Sequence, residues 1–262
     1  MGNNIMSDHK IIDDKEVSDV PYVTENSKQK ERPKFFISTP AYEGKVYVHY
    51  AMSLLDTSEI LRMSGFEVLV RIPVGSSLLV SDRNRILQMF WESGAEYLLC
   101  VDNDLSWDPM VVPKLLNDMT VGDKEFVAGV YPTRDGKAFN FRPETEEDGR
   151  IIIDEKTKLL KMQYVPAGFM LMKRSVIEKL HNKFPELKYT PKDPRSEAES
   201  AYCLFNTEVW EGEFWGEDYV FCRRVREAGI DIWVDPLIQF NHAGVIGSLI
   251  EVLTTDPTKA QK

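Results

Sequence analysis

The feature that most constrains this chain is a rhythm. Between residues 34 and 132, short apolar runs alternate with longer segments of helical period. "KFFIST" reads as a strand ending at a Thr39-Pro40 turn. Residues 45–64 place Ala51, Leu54, Leu55, Ser58 and Leu61 at i, i+3, i+4, i+7 and i+10, with Gly65 as the stop. "EVLVRIP" is a second strand. "SDRNRILQMFWES" is a helix with Ser81 or Asp82 near its N-cap and Gly94 past its end. "YLLCVDND" is a third strand, followed by a helix opened by Asp108-Pro109, in which Pro113 sits deep enough to introduce a kink. "EFVAGVYP" is a fourth. This alternation predicts an α/β fold with a mostly parallel sheet. The strands are almost continuously apolar, as a sheet covered on both faces requires.

After Pro132 the rhythm breaks. Residues 138–165 read as short β segments around the acidic turn "ETEEDG". "VPAGFMLMKRS" is a further strand leading into a short helix at 175–182. Residues 183–213 carry prolines and charges with little periodicity, the mark of a functional loop. "GEDYVFCRRVREAG" is a helix stopped by Gly229, "DIWVDP" a last strand, and "FNHAGVIG" leads to a polar end. Residues 1–33 read as a disordered tail, 34–250 as the folded domain and 251–262 as a second tail.

Composition narrows the function. Hydrophobic residues make up 43% of the 262, enough for a sizeable core. The net charge of −10 argues against stable nucleic-acid binding, which rests on cationic side chains neutralising phosphates. Cys100, Cys203 and Cys222 have no CxxC pairing and read as free thiols of a reducing compartment, so a cytoplasmic location is expected. No apolar run reaches the ~18 residues of a membrane span, and the start of the chain has no apolar signal core. Met1-Gly2 opens like a myristoylation site, but Met6 stands where Ser or Thr is required.

The chemistry gathers where the third strand ends. In open parallel sheets, ligands bind beyond the carboxyl ends of the strands. Asp102-Asn103-Asp104 occupies that position. Two neighbouring carboxylates repel unless a positive charge lies between them, and hard oxygen ligands suit Mg²⁺ or Mn²⁺. The residues alone also allow a loop turn with a helix N-cap.

Together with these carboxylates, four further stretches resemble the GT-A glycosyltransferases, whose signature is an Asp-x-Asp element ending a central strand. The likeness runs over roughly residues 34–245 and is family 2-like or galactosyltransferase-like. "STPAYEG" (38–44) is similar to the first-strand loop that embraces the donor nucleotide, and "SDRNRI" (81–86) to the helix start beside it. "FWGEDYVFCRRV" (214–225) resembles the Gly-Glu-Asp motif of inverting members, and His242 in "FNHAG" stands where many members keep a metal-binding histidine. The resemblance implies a GT-A (Rossmann-like) single domain: a mostly parallel sheet flanked by helices, a smaller antiparallel portion, a nucleotide-sugar half at 34–137 and an acceptor half at 138–250. It implies transfer of a sugar from a nucleotide-sugar, UDP-linked, to an acceptor hydroxyl of a glycan, with inversion.

It also assigns residues. Thr39, Pro40, Ala41, Arg83, Asn84, Asp102 and Asn103 would meet the donor. Asp104, with Asp102 and His242, would hold Mn²⁺ or Mg²⁺. Asp218 would take the acceptor's proton while Glu217 orients the acceptor. Trp210, Trp215 and Gly168 would contact the acceptor. A Trp pair is equally an ordinary core element, Gly168 equally a bulge, and "GED" equally an acidic first turn. One alternative is a nucleotidyltransferase, but "STPAYEGK" lacks the Gly-rich basic loop expected after the first strand. Another is a non-catalytic nucleotide-sugar or glycan-binding module, which the joint presence of Asp102, Asp104, Asp218 and His242 disfavours.

Overall fold

A computed structural model of the chain describes residues 32–192 and 198–255. The tail read at 1–33 falls almost wholly outside the described residues. The elements in order are β1 (Lys34–Ser38), α1 (Val48–Met63), β2 (Glu67–Arg71), α2 (Leu79–Ser93), β3 (Tyr97–Val101), β4 (Leu105–Trp107), α3 (Val111–Val121) and β5 (Phe126–Ala128). Then come β6 (Arg142–Pro143), β7 (Leu160–Tyr164), β8 (Phe169–Lys173), α4 (Arg174–Lys183), β9 (Lys188–Tyr189), β10 (Ala201–Tyr202), β11 (Glu208–Trp210) and β12 (Glu213–Trp215). The described residues end with α5 (Glu217–Glu227), β13 (Ile232–Val234), β14 (Gln239–His242), β15 (Val245–Ser248) and α6 (Leu249–Thr255).

The central sheet has eight strands in the order β2-β1-β3-β8-β5-β13-β7-β6. β2, β1 and β3 are parallel neighbours, as are β5 and β13. β8 runs the other way between β3 and β5. β7 likewise runs antiparallel to both β13 and β6, so the sheet is mixed, with its parallel pairs in β2-β1-β3 and β5-β13. Its strands bury side chains on both faces: Phe36, Leu98, Cys100 and Met170 join one apolar cluster, while Phe35, Ile37, Leu99 and Leu171 join the other. A three-stranded antiparallel sheet, β15-β14-β4, stands beyond the end of β3. It carries His242 back beside Asp104, with His242 opposite Leu105.

Several local expectations are corrected. α1 begins at Val48, because residues 41–47 are held as a loop by Gly44 N–H to Ala41 O and Tyr47 N–H to Asn103 O. Its buried face is also rotated from the expected apolar stripe. Ser53 and Thr57 point inward while Leu55 is 63% exposed. The hydroxyls are satisfied there: Ser53 Oγ donates to Trp107 O at 2.8 Å, and the Trp107 indole donates to Thr57 at 3.0 Å. α2 begins at Leu79, so Ser81 and Asp82 lie in its first turn rather than at the cap. β4 intervenes after Asp104, which moves α3 to Val111 and leaves Pro113 in the first turn, where no backbone donor is lost. β13 is not the last strand; β14, β15 and α6 follow, and α6 crosses the expected boundary at residue 250. Among the described residues no helix is long and apolar enough to cross a membrane.

Candidate active site

The carboxyl end of β3 is where the chemistry collects. β3 ends at Val101, and the next turn carries Asp102, Asn103 and Asp104. The Asp102 amide donates to Gly168 O at 2.9 Å, which ties this turn to the start of β8. The Asn103 side chain donates to Lys45 O at 2.8 Å, which ties it to the loop after β1. Thr39 and Ala41 lie in that loop, both buried. Thr39 Oγ1 bonds the Tyr50 hydroxyl of α1, and the Ala41 amide donates to Pro73 O at 3.1 Å. Pro40, between them, is also buried. The loop's backbone is thus pinned on both sides, with Tyr42 and Tyr47 left at its surface, 59% and 50% exposed.

Arg83 is the hub of the site. It is only 3% exposed, and α2 aims it under the Asp102 turn. Nη1 donates to Ala167 O at 2.9 Å and Nη2 to Asp102 Oδ1 at 3.0 Å. Its Nε makes no hydrogen bond and stands 3.7 Å from Glu217 Oε1. Arg83 therefore fixes the first carboxylate of the motif. Asn84 is turned toward the 203–205 loop. Its amide donates to Phe205 O and accepts from the Phe205 N–H, both at 2.8 Å. Both ends of that amide are occupied, so Asn84 anchors the 203–205 loop.

Asp104 is buried, at 3% exposure, with its Oδ2 facing Arg134 and His242. Arg134 donates Nε at 2.8 Å and approaches with Nη2 at 2.5 Å. His242 Nε2 stands 3.4 Å from the same oxygen. Burial works against the charged carboxylate, but the hydrogen bonds from His242 and Arg134 outweigh it and hold Asp104 below the usual carboxylate range. His242 Nδ1 lies 2.6 Å from Pro132 O, which can only accept, so Nδ1 carries the hydrogen. Nε2 then faces Asp104, where it donates a proton to the carboxylate when charged and offers a lone pair when neutral. Two electron-rich atoms that face each other require a proton or a cation between them. With a proton, burial lowers the imidazole pKa, while Asp104 and the Pro132 carbonyl raise it further, so the net shift is upward.

That donor set fits a divalent cation. A ring nitrogen oriented by a backbone carbonyl on its other side, opposite a carboxylate, is the usual arrangement of a metal-binding histidine. The expected trio does not form one cluster, however. Among the described residues no three His, Cys, Asp or Glu side chains are gathered for a metal. Asp102 is drawn away by Arg83, while Asp104 and His242 stay together.

Two residues that sequence reasoning missed complete this side. The Tyr131 hydroxyl accepts the Gly168 N–H at 2.9 Å, and its ring stands 5.1 Å from that of His242. Burial, helped by the Asp102 charge, keeps this phenol protonated well past its ordinary pKa. The other is Arg134. Gly168 is a close-approach position. A Cβ there would stand 2.0 Å from the Tyr131 oxygen and 2.7 Å from Asp102 Oδ2.

Glu217 and Asp218 open α5, where two acidic groups favour the helix N-terminus. Asp218 Oδ1 accepts the Tyr219 N–H at 2.9 Å. Burial first, then the charge of Glu217, pushes the Asp218 carboxyl up to about 6. Such a group is a stronger base than an ordinary aspartate and is still ionised at neutral pH. Beside it β11 and β12 form a hairpin. Trp210 packs edge-on against Trp215 with centroids 5.0 Å apart and carries the Arg223 guanidinium 4.7 Å above its ring. Trp215 stands edge-on to Tyr164, and Tyr164 stacks on Tyr219. Trp215, Tyr164 and Tyr219 line a cavity of about 660 Å³, with Phe214, Arg142 and Gln163 at its walls; Trp210 does not reach it. Phe214, in the middle of β12, is 74% exposed.

Comparison with known proteins adds one family and several folds. Residues 84–181 match glycosyl transferase family 2. No curated protein sequence matches the chain. Among solved structures, A197 from STIV shares 18% identity over 81% of this chain and 85% of its own, with a TM-score of 0.47. S. aureus TarS 1–349 in complex with UDP-GlcNAc shares 13% identity over 77% of this chain and 56% of its own, with a TM-score of 0.41. A glycosyltransferase involved in glycosylation of the major capsid of PBCV-1 shares 12% identity over 56% of this chain and 63% of its own, with a TM-score of 0.31.

Proposed function

We propose that the protein is a GT-A glycosyltransferase, on the match of residues 84–181 to glycosyl transferase family 2, and that it moves a sugar from a UDP-sugar to a glycan hydroxyl with inversion, using a divalent cation. The observation that carries the reading is the buried Asp104 carboxylate facing His242 Nε2 across 3.4 Å at the carboxyl end of β3. Asp104 and His242 would hold Mn²⁺ or Mg²⁺, and Asp102 would support them from its side away from Arg83. A cation bound there would supply Lewis-acid stabilisation of the charge growing on the departing diphosphate.

The chain's own groups account for the rest. The pinned loop at Thr39, Pro40 and Ala41, with Asn103 fastened to it, forms a rigid wall for the nucleotide. Arg83 holds the Asp102 carboxylate in place through its Nη2 contact. Asp218, raised to about 6, accepts the proton of the attacking hydroxyl as the new bond to the anomeric carbon forms. Glu217 beside it orients that hydroxyl. The Trp215, Tyr164 and Tyr219 faces receive the acceptor, since aromatic faces suit the apolar faces of sugar rings.

The test is release of UDP from UDP-sugars in the presence of Mn²⁺ and a panel of glycan acceptors. Wild-type protein should release UDP only with metal, while Asp104→Ala and Asp218→Asn should not. Equal release with a chelator, or by Asp104→Ala, would overturn the metal assignment.

A further inference from the structure

Arg134 is the residue around the site whose position the chemistry above does not explain. It lies in the turn Thr133–Ala138, which is closed by the Thr133 N–H to Ala138 O bond and by Gly136 at φ +70°. Gly136 packs against Val245, so the turn rests on the sheet that carries His242. From this support the Arg134 side chain reaches the buried Asp104 while remaining 69% exposed itself. Both of its contacting nitrogens converge on Oδ2, the oxygen that also faces His242. A cation coordinated between His242 and that oxygen would need the same space.

Resting on the reading above, we propose that Arg134 stands in for the divalent cation on Asp104 in the free protein and passes to the donor's diphosphate when the cation binds. The exchange follows from charge and reach. Asp104 is buried, and a buried carboxylate without a partner is costly. Arg134 meets that need before the metal arrives. Once the cation takes Oδ2, a guanidinium that close to a divalent charge is repelled. It is mostly in solvent, on a turn that need not move, so its side chain alone can swing. The donor brings two phosphates to the cation, and a guanidinium fork matches phosphate oxygens bidentately. The free protein is thereby kept from closing Asp104 onto His242, and the metal and the nucleotide bind best together.

The experiment measures binding, not turnover. Mn²⁺ alone, and then UDP in saturating Mn²⁺, are titrated calorimetrically into wild type, Arg134→Met and Arg134→Lys. A charge-assisted pair of this kind is worth roughly 1.5 kcal/mol, or about tenfold in affinity. Arg134→Met should bind Mn²⁺ alone about tenfold more tightly, because the competitor is gone, and UDP about tenfold more weakly, because the phosphate contact is gone. Arg134→Lys should fall between on both, since it keeps the charge without the fork. Unchanged or weaker Mn²⁺ affinity in Arg134→Met overturns the competition, and unchanged UDP affinity overturns the hand-over. Wild-type protein that binds Mn²⁺ and UDP while the variant matches it defeats this inference alone. Wild-type protein that binds neither defeats the functional reading and this inference with it.

Discussion

Replacing Gly168 by alanine adds a single carbon whose position the backbone dictates. It would stand 2.0 Å from the Tyr131 oxygen, 2.6 Å from Tyr131 Cζ and 2.7 Å from Asp102 Oδ2, where ordinary contact begins at 3.4 Å. The phenol must therefore retreat by more than an ångström. It has little room: its ring packs 5.1 Å from His242 and 6.1 Å from Phe240, centroid to centroid. Overpacking of this kind costs about 1–3 kcal/mol. The hydrogen bond from Gly168 N–H to the phenol is also broken, and a buried donor left unpaired costs about 1–3 kcal/mol more. For a chain of this size the sum lowers Tm by on the order of 10 °C. Asp102 is displaced as well, so UDP affinity in Mn²⁺ should fall. Calorimetry on wild type, Gly168→Ala and the double variant Gly168→Ala/Tyr131→Leu reads both effects. Shortening the side chain makes room, so the double variant should recover part of the Tm lost by the first substitution. If Gly168→Ala melts within about 2 °C of wild type and binds UDP normally, the close-approach argument is wrong.

Three further outcomes follow from the same geometry. Asp218→Asn should cost roughly 10²–10⁴ in transfer rate with UDP affinity kept, and wild-type turnover should rise as pH climbs through about 6, where Asp218 ionises. Because the folded pKa of Asp218 lies above its unfolded value, the charged form costs stability at neutral pH; Asp218→Asn should therefore raise Tm at pH 7, with the gain vanishing near pH 4, and a pH-independent Tm difference would refute this. Asn84→Ala strips both hydrogen bonds from the Phe205 backbone and should cost about 1–3 kcal/mol, read as a lower denaturation midpoint, while Asp102 stays held by Arg83. Trp215→Ala should weaken acceptor binding, seen as a raised acceptor KM with unchanged UDP affinity, and loss of both together would remove Trp215 from the acceptor side.

The sequence made legible whatever is local. β3 is a run buried on both faces, and the turn that follows it could be placed at a strand's carboxyl end from its charges alone. α5 was marked by its acidic start and by Gly229. What escaped depends on partners distant in the chain. The inward phase of α1 was hidden because Ser53 and Thr57 are polar, and only Trp107, 54 and 50 residues away, makes their burial affordable. Asn84 read as a nucleotide contact, since nothing nearby reveals Phe205, 121 residues further on. "VPAGFMLMK" was recognisable as a strand, yet its direction is set by β3 and β5 and not by its own residues. Tyr131 and Arg134 lay unmarked in a strand and a turn; a lone Arg in a Gly-containing turn carries no signal until Asp104 is placed opposite it.

The reversed strand β8 has a consequence for how the protein comes into being. It is the seam between β2-β1-β3 on one side and β5-β13 on the other, so neither group is a sheet with the other until residues 169–173 have paired. Asp102 borrows its backbone acceptor from Gly168, and Arg83 borrows one from Ala167. A nascent chain that has emerged only to residue 137 therefore carries both carboxylates of the motif and Arg83, but lacks the Gly168 and Ala167 carbonyls that anchor Asp102 and Arg83. Closure of that long loop must precede the reward, which makes late, cooperative assembly the expected order. Affinity for a nucleotide should accordingly switch on in one step as β8 docks, and no shortened chain lacking that strand should bind in proportion to its length.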